Sequence, residues 1–97
     1  MSNPKYYWYG IVKKMVYRYP RLNDSDQDQA YKAAIEEALE QIKAEENGAE
    51  KIQAIQIVCF EKRYTLDGAA YKMHYHRNTI QRWITKFINT VGKIAGF

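Results

Sequence analysis

The chain of 97 residues has one cysteine, two prolines and five glycines, and it lacks any low-complexity segment or repeat. A lone cysteine, Cys59, excludes an internal disulfide. It lies in the apolar run Ile55-Gln56-Ile57-Val58-Cys59-Phe60, where a reduced core thiol is expected rather than a nucleophile. No apolar stretch reaches membrane-spanning length and the N-terminus shows no signal-peptide pattern, so the expectation is a cytoplasmic protein without a membrane partner. Catalytic constellations are missing too. No serine stands near a histidine in a recognisable order, no glycine-rich phosphate loop occurs, and no acid pair sits in an apolar setting. The pair His74-x-His76 with Cys59 or Asp67 matches no standard zinc spacing, so neither a metal nor another cofactor is expected, and an enzyme is disfavoured.

What is present is charge, unevenly placed. The net charge is +4. Residues 1–23 hold five bases and no acid, residues 24–50 hold nine acids against Lys32 and Lys43, and residues 51–97 hold eight bases against Glu61 and Asp67. A basic C-terminal half suits a polyanion such as double-stranded DNA. An acidic segment would be repelled by the same polyanion and is expected to face away from it.

Helical periodicity dominates, and no segment alternates with period two, so the fold class is all-α with about five helices in a single domain. Residues 5–18 form a first helix, aromatic and basic, ended by Tyr19-Pro20 because the residue before proline avoids helical angles. Ser25 with Asp28 starts a second helix running to a stop at Asn47-Gly48. Its apolar stripe is Tyr31, Ala34, Ile35, Ala38, Leu39 and Ile42, and Glu36, Glu37, Glu40 and Glu45 form either a solvated face or a partner-binding one. A third helix covers residues 49–60. Thr65 caps a fourth helix that ends near Lys72, and His76 or Asn78 opens a fifth that runs to Lys93 or beyond, with Ile80, Ile84, Phe87, Ile88, Val91 and Ile94 inward. Residues 1–48 then make an interaction part and 49–97 a DNA-binding part.

Residues 65–83 have the pattern of a helix-turn-helix. Ala69, Ala70 and Met73 line one face of its first helix, Tyr75 lies in the turn, and Ile80, Trp83 and Ile84 line one face of its second. The small Ala70 suits a close crossing. The remaining face of the second helix offers Arg77, Asn78, Gln81, Arg82 and Thr85 to base edges in a major groove. Lys62, Arg63, Lys72, His76, Thr79 and Lys86 flank the unit as candidate phosphate contacts.

The N-terminal aromatic segment has three readings. Tyr6, Tyr7, Trp8, Ile11, Val12 and Met15 form core or a homodimer interface, or an interfacial membrane helix, or a surface that stacks on nucleic acid; the first is preferred.

Three stretches resemble the ArpU/RinA-type transcriptional regulators of phages and prophages of Gram-positive bacteria. They are Ile11-Val-Lys-Lys-Met-Val-Tyr-Arg-Tyr-Pro20, the acidic Ala33-Ala-Ile-Glu-Glu-Ala-Leu39, and Tyr64-Thr-Leu-Asp-Gly-Ala-Ala70 followed by Arg77-Asn-Thr-Ile-Gln-Arg-Trp83. The last is also similar to the sigma-factor domain that reads the −35 promoter element. The resemblance implies activation of phage late genes through promoter DNA and RNA polymerase, with the recognition-helix role falling on Arg77, Asn78, Gln81 and Arg82. His74 and His76 stand where that pattern has Gly-x-Ser. Two alternatives remain open: a terminase-small-subunit-like protein that recognises packaging DNA, and a protein-interaction adaptor that does not bind DNA.

Overall fold

The computed structural model describes residues 8–19 and 26–96, with the side chains of 26–28 left out. Five helices and no strand occur among these residues: α1 (Tyr9–Tyr17), α2 (Asp26–Lys43), α3 (Gly48–Ile55), α4 (Leu66–Met73) and α5 (Arg77–Ile94). None is long and apolar enough to cross a membrane. The calls on Tyr6, Tyr7, Pro20 and the Ser25 cap lie outside the described residues.

The long α5 is the centre. Its stripe of Ile80, Ile84, Phe87, Ile88 and Val91 is buried, as spacings of three and four on a 3.6-residue helix require. All four other helices pack against it, α2 most extensively. The α2 contribution is Tyr31, Ala34, Ile35, Ala38 and Ile42, all buried, with Leu39 at the margin. One continuous buried cluster runs from Val12 to Val91, so the two halves read from the sequence share a single core.

Three features depart from the sequence reading. The second helix ends at Lys43, four residues before its expected stop. Asn47 takes the left-handed conformation, at φ 58°, while Gly48 is already the first residue of α3. A Cβ on Gly48 would collide with the carbonyls of Ile42 and Lys43, so close backbone approach explains this glycine. The third helix is not uniformly α. Residues Gln56–Phe60 form one π turn closed by the Glu61 amide on the Gln56 carbonyl at 2.7 Å. This widened turn buries Ile57, Val58 and Cys59 in succession, which an α-helix would splay over most of its circumference. Finally, Val12 is fully buried in the chain's own core, where no second copy can touch it, and it leaves the dimer set. Met15 is half-buried against the same core, and Ile11 remains exposed.

Trp8 explains Gly92. The indole lies where a Cβ on Gly92 would stand, tying the start of α1 to the last turns of α5. Tyr19 holds the other end of the α1 segment, its hydroxyl donating to Glu36 at 3.0 Å and its ring 4.8 Å from that of Phe60. Mid-helix glycine costs about 1 kcal/mol against alanine, and the seated indole offsets this. Gly92→Ala is therefore expected to destabilise the protein by about 1–2 kcal/mol as the indole is displaced. In a Trp8→Ala background the same change should stabilise by up to about 1 kcal/mol. Denaturant unfolding of the four variants reads the sign reversal, and the same sign in both backgrounds would refute the contact.

Candidate nucleic-acid interface

The local sequence from Thr65 to Asn78 builds two helices and the turn between them from hydrogen bonds. Thr65 is extended, and its hydroxyl accepts from the Gly68 amide at 3.1 Å, which caps α4. Asp67 places a negative charge in the first turn, where the helix dipole favours it. Ala69 and Ala70 are buried, and their small side chains admit α5 alongside.

The two histidines take over the turn. His74 adopts the left-handed conformation, φ 62° and ψ 37°, and the Tyr75 amide reaches back to the Ala70 carbonyl at 3.0 Å. His76 is extended and its Nδ1 accepts from the Asn78 amide at 3.2 Å, a ring nitrogen in the role of a capping hydroxyl. This bond leaves Nε2 to carry the proton of the neutral ring. Tyr75 then packs edge-on against Trp83, with centroids 4.8 Å apart. Thus His74 supplies the left-handed residue of the turn and His76 the cap of α5.

The outward face of α5 brings together Asn78, Gln81, Arg82, Thr85, Lys86 and Asn89, which line one shallow open surface. Four of these were read from the sequence as base readers and Lys86 as a phosphate contact. Asn89 was missed, although it follows Thr85 by four residues and Arg82 by seven, and so lies on the same face.

Arg77 does not join them. It falls on the helical meridian of Ile84 and Ile88 and turns towards α4, where its Nε lies 2.8 Å from a carboxylate oxygen of Asp67. In the unbound chain this exposed ion pair holds the Arg77 side chain apart from the other residues read as base readers. Arg63 is likewise engaged, 3.8 Å from Glu61. Glu61 and Asp67 are the only acids after residue 50; each pairs with one arginine, and among the described residues Arg82 has no carboxylate within 4.0 Å.

The other candidate phosphate contacts lie before α4, on α4 and on α5. Lys62 is exposed in a left-handed conformation at φ 56°, and the Lys72 ammonium lies 5.6 Å from the centre of the Tyr64 ring. Thr79 is half-buried, its amide donating to the His76 carbonyl at 3.0 Å. Lys86 stands 3.9 Å from Glu45, which is also bound by Lys51 at 2.9 Å. The Lys51 hydrogen bond holds the Glu45 carboxyl below the usual carboxylate range, with the charges of Lys51 and Lys86 adding to it. Among the described residues no group of three His, Cys, Asp or Glu converges as a metal site.

Replacing a left-handed L-residue by glycine removes a steric cost but adds unfolded-state entropy. His74→Gly is accordingly expected to raise stability by at most about 1 kcal/mol, measured by urea unfolding. A loss of more than that amount would mean the His74 side chain has a structural role beyond the turn.

Compared with models of protein families, with curated proteins and with solved structures, the chain matches none of them.

Proposed function

We propose that this protein is a sequence-specific DNA-binding transcriptional regulator, with α4 and α5 acting as a helix-turn-helix and α5 entering the major groove. One observation carries the reading. The eighteen residues of α5 include Arg77, Arg82, Lys86 and Lys93 and no acid, and its exposed face presents amides, a hydroxyl and cations contiguously. A merely solvated helix usually interleaves both signs of charge. Asn and Gln pair with adenine, Arg with guanine, and the Thr85 methyl and hydroxyl suit either a thymine methyl or a polar edge.

In this reading Gln81, Arg82, Asn78 and Thr85 face bases. Lys86 and Asn89 approach phosphates, and Lys62, Arg63 and Lys72 hold the backbone nearer α4. The resemblance to ArpU/RinA-type regulators adds the biological role, activation of phage late genes, with RNA polymerase as a second partner and the bacterial cytoplasm as the place of action. Of the acids read as one face with α2, Glu36, Glu37 and Glu40 are exposed, whereas Glu45 stands beside Lys86 at the edge of the proposed DNA surface.

Selection of bound sequences from random duplexes, at low and moderate salt, tests this. The wild type is expected to enrich a motif, and Gln81→Ala/Arg82→Ala to lose it with a drop in affinity of roughly 10- to 1000-fold, since a good bidentate contact contributes about 1–3 kcal/mol. Absence of DNA binding at low salt, or an unchanged motif in the double variant, would overturn the proposal. Asp67→Asn releases Arg77 and removes a negative charge beside the surface. Its affinity for duplex DNA should rise several-fold, and a fall would show that the Asp67–Arg77 pair is needed to hold the turn.

A further inference from the structure

A second cleft, about 100 Å³ in volume, opens beside the polar face of α5, with Lys13 and Tyr17 of α1 on one wall and Gln81 and Thr85 of α5 on the other. Gln81 and Thr85 also line the polar face, so the two surfaces share an edge. Lys86 marks the opposite edge of that face, and Lys13 stands beyond the shared one.

We infer that Lys13 is a DNA phosphate contact flanking α5, which makes α1 part of the nucleic-acid surface as well as part of the core. This rests on the reading of α5 as the major-groove helix. A helix in a groove about 12 Å wide has a phosphate strand on each side. Lys86 serves one side. On the other, the cation that lines the adjoining cleft is Lys13.

The ammonium is placed in advance. It sits over the Tyr17 ring at 5.8 Å from the centroid. Tyr17 is in turn half-buried against the core that holds Cys59, which is fully buried in the π turn. Burial pushes the Tyr17 hydroxyl up to about 12 and the Cys59 thiol up to about 11, so both stay neutral beside the lysine at neutral pH. Among the described residues no carboxylate lies within 4.0 Å of Lys13. Residues 8–19 contain no acid at all, and Lys14 and Arg18 extend the exposed basic surface of α1. An ammonium held on a ring, lacking a counter-ion and bordering the polar face, matches a phosphate oxygen in charge and position.

The salt dependence of binding to the selected duplex tests the assignment. Each phosphate contact adds about 0.9 to the slope of log affinity against log salt. Lys13→Ala is expected to reduce the slope magnitude by about that amount and to weaken binding several-fold at low salt, with the preferred motif unchanged. Lys13→Arg should keep the slope, and Lys32→Ala on the outward face of α2 should leave it untouched. A wild-type slope in Lys13→Ala, with the wild type still selecting its motif, would overturn the role of Lys13 and leave that of α5 standing. No motif and no binding by the wild type would overturn both.

Discussion

Burial of a single stripe on α5 sets the rest of this structure. Ile80, Ile84, Phe87, Ile88 and Val91 form the one surface that every other helix reaches. Each such side chain contributes about 1.5–3 kcal/mol when removed from water, and a chain of 97 residues has few places to gather that much. The rotation of α5 about its axis is therefore fixed by packing. Its polar face inherits that orientation, since residues 78, 81, 82, 85, 86 and 89 occupy the angular sector the core leaves over. Core and candidate interface are two sides of one constraint.

Electrostatics refine what packing sets. The C-terminal half is basic in sum, but its two acids are placed against particular arginines, Glu61 against Arg63 and Asp67 against Arg77. Glu45 reaches Lys86 from the turn between α2 and α3. These exposed pairs contribute little to stability. Their larger effect is to grade the cations: Arg82 and Lys13 face solvent without a nearby carboxylate among the described residues, while Arg77 is occupied. The distribution of charge along the sequence points to a polyanion, but only the folded arrangement separates the committed cations from the available ones.

Much of the architecture is legible in the sequence. The stripes of α2 and α5 appear as repeats of three and four, and the Thr65 cap and the turn at residues 73–75 follow from local chemistry. The left-handed backbone of His74 falls where the resembled pattern has glycine, and the histidine itself does not announce it. Less legible were features that depend on backbone meeting backbone. The Asn47-Gly48 pair resembles a stop signal, yet its glycine is demanded by the carbonyls of the preceding helix. The π turn left no trace, because nearly every residue from Ile55 to Phe60 is apolar and an extra residue per turn does not alter such a pattern. Arg77 was grouped with its neighbours because the carboxylate that claims it lies ten positions earlier, on another helix. Trp8 and Val12 read as core or dimer interface without a choice between the two, because the Gly92 seat of the Trp8 indole lies at the far end of the chain.

The contact between Trp8 and Gly92 joins positions separated by almost the whole described chain. Closing a loop of that length costs conformational entropy, which the seated indole has to offset. Local opening of α1 would bare the Cys59 thiol and the apolar flank of α5 while the remaining helices stay packed. Backbone hydrogens in α1 then belong to the fast-exchanging part of the molecule, and the lone thiol becomes a chemical reporter of how often that helix lifts.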